Sequence, residues 1–459
     1  MKGSTCMVWM AVATWLTTAA PVLEAAEAPS PPATRNPVAV EEVRAGTRKV
    51  ANAAWWGFNR EDATECLQSA LDSGAGSVTV PYQGTPWIVR PVRLPSGQEI
   101  TLEPGVVILA KKGEFQGPGD SLFTATAQSN LVIRGYGATL RMHKRDYQQP
   151  PYKPAEWRMG VALRGCRHVL IEGLRVESTG GDGFYIDGGG DLGWSEDITL
   201  RNCAASDNHR QGVSVISAVG LVIENCVFSR TWGTAPEAGI DFEPDTEAQR
   251  LVHCLVRNSI FENNNGHQIL VYLKPLTTNS QPVSIRFENC LARMTGERFR
   301  LGDQAPPKGI RGVAGIAVGE VKDNGPSGLI EFVHCVTENT AAEGARIYDK
   351  SAERAQVRFI DCSFSKPWSS AADRPEAPQA AILIELRHPE LTARPGGIEF
   401  LNCLVHDNLS RPGIWFEEPK GEISLRDLSG QIFVAAPGSI IPHWGAKPTN
   451  VTLKLAPIP

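Results

Sequence analysis

The chain has 459 residues, an ordinary hydrophobic content of 42% and a formal net charge of −5. So small a charge on a chain of this length gives no support for a nucleic-acid partner or for an anionic membrane surface. Only the N-terminus carries a long apolar run, so no membrane partner is expected once that segment has been removed.

The N-terminus has the pattern of a secretory signal peptide. Lys2 precedes an apolar run at residues 7–16, and Ala26-Glu-Ala28 resembles a cleavage site. We predict a signal peptide over residues 1–28 and a linker over 29–54, disordered at its proline-rich start. The mature protein is therefore expected to be secreted or periplasmic.

A short amphipathic helix is predicted near residues 60–72. Asn59 is a candidate N-cap, Ser73-Gly74 ends the helix, and the apolar residues between them fall on one face. The strand Ser77-Val-Thr-Val-Pro81 follows directly. We expect this helix to cap the N-terminal end of a stack of strands, because an open end would expose unpaired strand edges.

Eight copies of a motif follow between residues 169 and 408. Each copy is an apolar strand, then a small or sulfur-containing residue, then a short polar turn. The aligned residues are Leu174, Cys203, Cys226, Ser259, Cys290, Cys335, Cys362 and Cys403. The steps between them run from 23 to 45 residues. A unit that short cannot bury its own apolar face, so it must stack on its neighbours.

A second apolar strand follows each copy, as in Gly212-Val-Ser-Val215 and Gly239-Ile-Asp-Phe242. Polar pairs such as Asp207-Asn208 between the two strands suit a tight corner. Strand, corner, strand and loop describe one coil of a parallel β-helix. We predict an all-β solenoid, a single-stranded right-handed parallel β-helix with an N-terminal capping helix, over residues 55–459.

The repeated cysteines are predicted to form a buried internal column. Their spacing follows the coil period rather than a disulfide framework, and no Cys-x-x-Cys pair suggests zinc. A small buried hydrophobe is therefore the expected role of each thiol. The sequence is also compatible with a disulfide bond between Cys166 and Cys254.

The segment from Asp62-Ala-Thr64 through Ile100-Thr-Leu-Glu-Pro-Gly105 resembles the entry of the pectate-lyase and polygalacturonase superfamily of right-handed β-helices. This resemblance covers roughly residues 55–420 and implies the fold. The superfamily hosts hydrolases, lyases, epimerases and non-catalytic proteins, so the reaction does not follow. The polygalacturonase signatures are not matched. Asn208-His-Arg210-Gln-Gly212 is similar to an epimerase strand with an active-site arginine, a role that the resemblance places on Arg210.

Ionisable residues that point outward are concentrated in the coils between residues 182 and 274. Coils stack about 4.8 Å apart, so residues two coils apart lie roughly 10 Å from each other. That spacing suits two carboxyl groups that flank a sugar and a water. The predicted catalytic residues are Asp187, Arg210, Asp241 and Glu243, and the predicted substrate-binding residues are Asp182, Tyr185, Trp194, His209, Trp232, Tyr272 and Lys274.

These residues predict a carbohydrate-active enzyme with a polysaccharide substrate. Carboxylates outnumber bases in the strip, which favours glycoside hydrolysis. A uronate lyase or C5-epimerase that uses Arg210 and a basic residue is the first alternative. A non-catalytic carbohydrate-binding solenoid is the second. No cofactor or metal is required, although Asp241, Glu243 and Asp245 offer oxygen ligands for Ca²⁺. The oligomeric state does not follow from the sequence.

Overall fold

A computed structural model describes residues 33–295, 313–369, 379–407, 411–418, 420–435, 442 and 444–458. The predicted signal peptide lies outside these residues. The chain winds into stacked coils whose strands pair in parallel, each with the equivalent strand of the next coil. The predicted parallel β-helix is therefore confirmed.

The described strands form two sheets. The narrow sheet consists of Val92–Arg93, Phe123–Thr126, Val161–Arg164, Phe184–Asp187, Val213–Val215, Ile240–Phe242, Ile269–Tyr272, Ile316–Val321, Ala345–Lys350, Ile382–Glu385 and Ile414–Glu417. The wide sheet consists of Val50–Asn52, Ser77–Val80, Trp87–Val89, Glu99–Leu102, Val107–Ala110, Ser129–Arg134, Thr139–Arg141, Arg167–Glu172, Arg175–Glu177, Ser195–Arg201, Ala204–Ser206, Ala218–Glu224, Val227–Ser229, Leu251–Val252, Cys254–Arg257, Ile260–Glu262, Val283–Glu288, Leu291–Arg293, Gly328–Val333, Val336–Glu338, Gln356–Ile360, Ser363–Ser365, Gly396–His406, Arg426–Val434, Thr449–Val451 and Lys454–Pro457.

A complete coil has three strands rather than the two that the sequence suggested. The residue just before the cysteine column adopts the left-handed conformation in coil after coil, with φ of 53° at Asn202, 55° at Asn225 and 53° at Asn289. Asparagine tolerates this conformation, and the wide sheet bends there. The predicted corner at Asp207 is also left-handed, with φ of 55°. Coils thus turn at two left-handed corners, which are Asn202 and Asp207 in one coil and Asn225 and Arg230 in the next.

The interior is built from columns of like side chains. All six cysteines of the predicted column are buried and free. Cys166 and Cys254 are also free, so the bridge that the sequence left open is not formed. A second column stacks aromatic rings, with centroids 5.1 Å apart between Phe287 and Phe332 and 4.9 Å apart between Phe332 and Phe359. Such rings stabilise the stack beyond the area that they bury.

Helices close the N-terminal end. The predicted cap is the helix Thr64–Leu71, whose Leu67 and Leu71 are buried in the core. Asn59 does not cap it. Its side chain accepts from the backbone N–H of Glu61, while Asp62 Oδ1 accepts from Thr64 N at 3.0 Å.

Ordered structure begins before the predicted start of the β-helix domain. A helix, Pro37–Arg44, and a strand, Val50–Asn52, occupy the predicted linker, and the strand pairs with Ser77–Val80. Their apolar residues, including Val43, join the core, which is why the linker prediction fails from residue 37 onward. The described 3₁₀ helices are Ala53–Trp56 and Asp146–Gln148. No helix in the described ranges is long and apolar enough to cross a membrane.

An alternating row of charges runs along the outside of the wide sheet. Neighbouring coils place Arg and Glu in register in the order Arg134, Glu172, Arg201, Glu224, Arg257 and Glu288. Arg201 reaches Glu172 at 3.6 Å and Glu224 at 2.5 Å. Opposite charges on adjacent strands stabilise the pairing of those strands.

Candidate active site

The outer face of the narrow sheet carries the predicted site. Inward residues such as Phe184 and Ile186 are buried in the core, so the residues between them point outward. Tyr185, Ser214 and Asp241 stand in register on three successive coils. The regular stacking of short strands thus assembles residues that are far apart in the chain.

Arg210 lies at the centre of a charged group that we call the Arg210 cluster, formed by Asp182, Arg210, Asp241 and Glu243. Its Nη2 donates to Glu243 Oε2 at 2.6 Å, and its Nη1 lies 3.8 Å from Asp182 Oδ2. The guanidinium therefore bridges two carboxyl groups. Burial disfavours its charged form, but the three neighbouring acids outweigh burial and raise the pKa of Arg210.

Two acids of the cluster, Asp182 and Asp241, are shielded from solvent. Asp182 and Asp241 are 0% exposed, whereas the side chains of Arg210 and Glu243 are 13% and 23% exposed. Ser214 donates to Asp182 Oδ2 at 2.8 Å, and Gln211 Nε2 donates to Asp241 Oδ2 at 2.9 Å. The prediction that Asp182 and Asp241 contact substrate is corrected: Asp241 points outward from its strand, but both carboxyl groups are shielded from solvent.

Burial controls the protonation of these two acids. Desolvation raises the pKa of Asp182 to about 7, against the opposing influence of Arg210. Desolvation, followed by the nearby charge of Glu243, raises the pKa of Asp241 well above its usual range. Burial therefore favours the protonated form of Asp241, and its carboxyl group is shielded from solvent.

Asp187 lies nearer the surface and is firmly held. The Tyr185 hydroxyl donates to its Oδ2 at 2.9 Å, while Gly188 N and Gln249 Nε2 donate to its Oδ1 at 2.7 and 3.1 Å. Arg164 Nη1 lies 3.8 Å from Oδ2. Charged and neutral donors thus fix the orientation of this carboxylate, whose side chain is 14% exposed.

Asp245 joins Asp187 to the Arg210 cluster. Partial burial and the neighbouring charges of Asp187 and Glu243 raise the pKa of Asp245. Gln249 accepts from the backbone N–H of Asp245 and donates to Asp187, so one side chain ties the two acids together. Asp187, Glu243 and Asp245 are the acids of this group that remain at least partly exposed to solvent.

His209 is largely enclosed. Its Nε2 lies 2.9 Å from the hydroxyl of Thr234, and burial together with Lys144 and Arg158 lowers the pKa of His209 to about 4. The ring is therefore neutral near pH 7. It supports the loop around Gly233 rather than standing in the open as a substrate ligand.

The two predicted tryptophan platforms each have one face covered by a cation. Lys144 Nζ lies 3.7 Å from the ring centroid of Trp232, whose indole N–H donates to Asp207 at 2.7 Å. Arg250 lies 3.6 Å from the ring centroid of Trp194. Both rings are half-buried, so at most one face of each is left for a sugar.

Tyr272 and Lys274 do not join the Arg210 cluster. Both reach Glu320, at 3.4 Å from the tyrosine hydroxyl and 2.8 Å from the lysine Nζ. They belong to a second group further along the same face. The sequence grouped them with the predicted site because their strand, Ile269–Tyr272, is next to the strand of Asp241.

Calcium at Asp241, Glu243 and Asp245 does not fit the geometry of these residues. Asp241 is fully buried, and a cation at Glu243 would have to displace Arg210. Within the described ranges, the group that brings metal-ligating atoms within 4.8 Å of one another is a different one, formed by Glu320, Asp349 and His388. Its carboxylates already contact Lys274 and Arg387.

Gln211 and Gln249, which donate hydrogen bonds to Asp241 and Asp187, were not among the residues predicted from the sequence. No motif marks a glutamine that bonds to a carboxylate from another coil. Arg164 could have been found, because it stands one coil before Asp187 in the same outward row.

A family model described as "Right handed beta helix region" matches residues 155–293. Two curated proteins of Bacillus subtilis (strain 168) are similar to this chain: the uncharacterized protein YclG, 26% identical over 48% of the chain, and the SPbeta prophage-derived uncharacterized protein YorA, 28% identical over 36%. The matches span 44% and 30% of those two proteins, less than half of each.

The similar solved structures cover more of this chain than the two Bacillus subtilis proteins do. The mannuronan C-5 epimerase AlgE6 A-module of Azotobacter vinelandii has a TM-score of 0.58 at 14% identity, over 89% of this chain and 99% of that one. A family 28 exopolygalacturonase of Yersinia enterocolitica has a TM-score of 0.55 at 11% identity, over 90% and 79%. A mutant tailspike protein of E. coli bacteriophage HK620, in complex with a pentasaccharide, has a TM-score of 0.56 at 12% identity, over 85% and 68%.

At these identities the likeness shows the fold alone. The stacked parallel coils, the matched family model and the similar structures agree on the fold, including its handedness. The chain is a right-handed parallel β-helix protein.

Proposed function

We propose that the protein is a carbohydrate-active enzyme that hydrolyses a polysaccharide on the outer face of the narrow sheet. The observation that carries this proposal is the set of three acids, Asp187, Glu243 and Asp245, that remain at least partly exposed close to the buried Asp182 and Asp241. Asp187 and Glu243 lie two coils apart, which is about 10 Å along the stack. Gln249 bonds to Asp187 and to the backbone of Asp245, so two carboxyl groups, the pair that glycoside hydrolysis requires, lie close together.

Each acid has a role that follows from its surroundings. Asp245, whose pKa is raised, is the proton donor to the glycosidic oxygen. Asp187, held by its donors, accepts a proton from the attacking water. Glu243 and Arg210 hold each other in place and offer an acceptor and donors to sugar hydroxyls. Asp182 and Asp241 support Arg210 from below.

The similar structures support a carbohydrate ligand without specifying the reaction. One is an epimerase, one an exopolygalacturonase, and one a tailspike bound to a pentasaccharide. A location outside the cytoplasm is part of the proposal and rests on the signal-peptide pattern at the N-terminus.

Incubation of the purified protein with neutral and acidic polysaccharides tests the proposal. New reducing ends without absorbance near 230 nm support hydrolysis. Absorbance near 230 nm would instead indicate a lyase. Altered uronate composition without cleavage would indicate an epimerase, and binding without any reaction would indicate a carbohydrate-binding solenoid.

The pH dependence of hydrolysis reports on Asp245. A proton donor must be protonated, so activity should fall as the pH rises through the raised pKa of Asp245. We expect Asp245→Asn to lower kcat at least about 100-fold. The residual activity should lack this alkaline decline. The measurement is kcat from pH 4 to 9 for both proteins, and an unchanged profile in the variant would remove Asp245 from this role.

The substitution Arg210→Lys separates hydrolysis from uronate chemistry. Arg210 contacts Glu243 and lies near Asp182, and one ammonium group cannot reproduce this forked arrangement. In the hydrolase we expect kcat on a neutral glycan to fall about 10- to 100-fold, because Glu243 is misplaced rather than lost. In a lyase or epimerase the guanidinium would clamp the substrate carboxylate, and nearly all turnover on uronates would be lost. Steady-state rates on both substrate classes distinguish the two results.

A further inference from the structure

A second charged group lies three coils beyond Asp241 on the same face. The outward row continues through Leu270 and Ala317 to Arg346. At about 4.8 Å per coil, Arg346 stands about 14 Å from Asp241 along the stack. We call this group the Tyr348 cluster, and its members are Tyr272, Lys274, Glu320, Arg346, Tyr348, Asp349, Glu385 and Arg387.

The cluster surrounds the ring of Tyr348. Arg387 stacks on this ring, 3.9 Å from its centroid. A Cβ at position 319 would lie 2.0 Å from the ring of Tyr348, so only glycine fits at that position. Gly319, on the coil before that of Tyr348, therefore leaves the space that this aromatic side chain occupies.

An apolar strip connects the two clusters. Ala238, Leu270, Ala317 and Tyr348 pack together, with Tyr272 at the edge. Burial raises the pKa of Tyr348, and Asp241 of the Arg210 cluster adds to this increase. The two clusters are thus electrostatic neighbours on one surface, separated by apolar side chains.

Every cation named in the two clusters already contacts a carboxylate. Lys274 contacts Glu320 at 2.8 Å, and Arg346 Nε contacts Glu385 at 3.0 Å. The Nε atom of Arg387 lies 3.4 Å from Asp349. The three cations and three carboxylates of the Tyr348 cluster balance in charge, so the cluster offers no net attraction to an acidic sugar, whereas hydroxyl groups of an uncharged sugar can bond to the paired guanidinium and carboxylate groups.

We propose that the Tyr348 cluster is a distal subsite for an uncharged sugar unit of a polysaccharide whose reacting unit lies at the Arg210 cluster. This inference rests on the proposed function and adds its substrate class, a neutral glycan. The side chains of Arg387 and Glu385 are 35% and 17% exposed and supply the donors and acceptors. The glycan runs along the stack, past the apolar side chains of Leu270 and Ala317, which are 5% and 0% exposed.

The test is binding measured by calorimetry, with cellohexaose, xylohexaose and mannohexaose as neutral probes, hexagalacturonate as the acidic probe, and the matching disaccharides. We expect at least one neutral hexasaccharide to bind more tightly than hexagalacturonate. Arg387→Ala should weaken that binding at least tenfold and leave disaccharide binding unchanged. Glu385→Gln should weaken it to a smaller extent.

Arg358→Ala is the matched control. Arg358 is 43% exposed and contacts Glu399 at 3.0 Å, but it lies on the wide sheet, so hexasaccharide binding should not change. Tighter binding of hexagalacturonate, no binding of any hexasaccharide, or unchanged binding in a folded Arg387→Ala protein would overturn the subsite. Hexasaccharide binding that depends on Arg387, without release of reducing ends, would instead overturn the hydrolase and leave the subsite in place.

Discussion

The substitution Asp187→Asn should reduce hydrolysis about 100- to 10,000-fold, the contribution expected of a positioned general base. The amide is nearly isosteric with the carboxylate. Its oxygen can still accept from Gly188 N and Gln249 Nε2, and its amino group can donate to the Tyr185 hydroxyl. The fold and the substrate affinity should therefore be kept, and the loss should appear in kcat. Release of reducing ends, together with the thermal unfolding midpoint, measures both quantities.

Asp197→Asn controls for a general effect of removing an acid from this part of the chain. Asp197 is exposed and contacts His168 at 3.1 Å on the wide sheet. Its variant should keep the wild-type kcat. Wild-type kcat in the Asp187→Asn protein would remove Asp187 from the reaction and direct attention to Glu385 and Glu417, which stand in register on neighbouring coils of the same face.

The substitution Cys290→Asp should lower the free energy of unfolding by at least about 3 kcal/mol, because it places an unpaired carboxyl group in the core. Cys290 is 0% exposed and lies between Ser259 and Cys335 in the column. No cation stands in this column to compensate a charge. Urea unfolding measured at pH 7 gives the difference, and if the loss exceeds the stability of the protein, the variant is recovered only at low temperature.

Cys290→Ser is the matched control. Ser259 already occupies the same column, where its hydroxyl donates to Arg257 O at 2.9 Å and accepts from Cys226 N at 3.1 Å. A serine at 290 can bond to the backbone in the same way. We expect a loss of about 1 kcal/mol or less. A Cys290→Asp protein as stable as the serine variant would contradict the buried column.

The interior could be predicted from the sequence because each coil repeats the same kind of residue at the same place. The column from Leu174 to Cys403 is visible as a list of small or sulfur-containing residues, and burial confirms it. The second bend of each coil could not be seen in the same way. Asn202 and Asn225 are followed at once by a buried cysteine, so the bend resembles the end of a strand.

The site was harder to predict, because a period of two tells which side of a sheet a residue faces but not what covers it. Asp241 faces outward, as its position in Gly239-Ile-Asp-Phe242 indicates, yet it is fully buried next to Gln211 and close to Arg210 and Glu243. Arg210 comes from the preceding coil. Contacts between coils depend on loop lengths and side-chain conformations that no local pattern contains.

The alternating charges of the wide sheet bear on how this protein could gain or lose coils. Removal of the coil that contains Glu172 would bring Arg134 against Arg201, and removal of the next would bring two glutamates together. Like charges directly opposite each other destabilise strand pairing. Removal of two adjacent coils restores an Arg–Glu contact. The length of this solenoid can therefore change by an even number of coils at lower electrostatic cost than by an odd number.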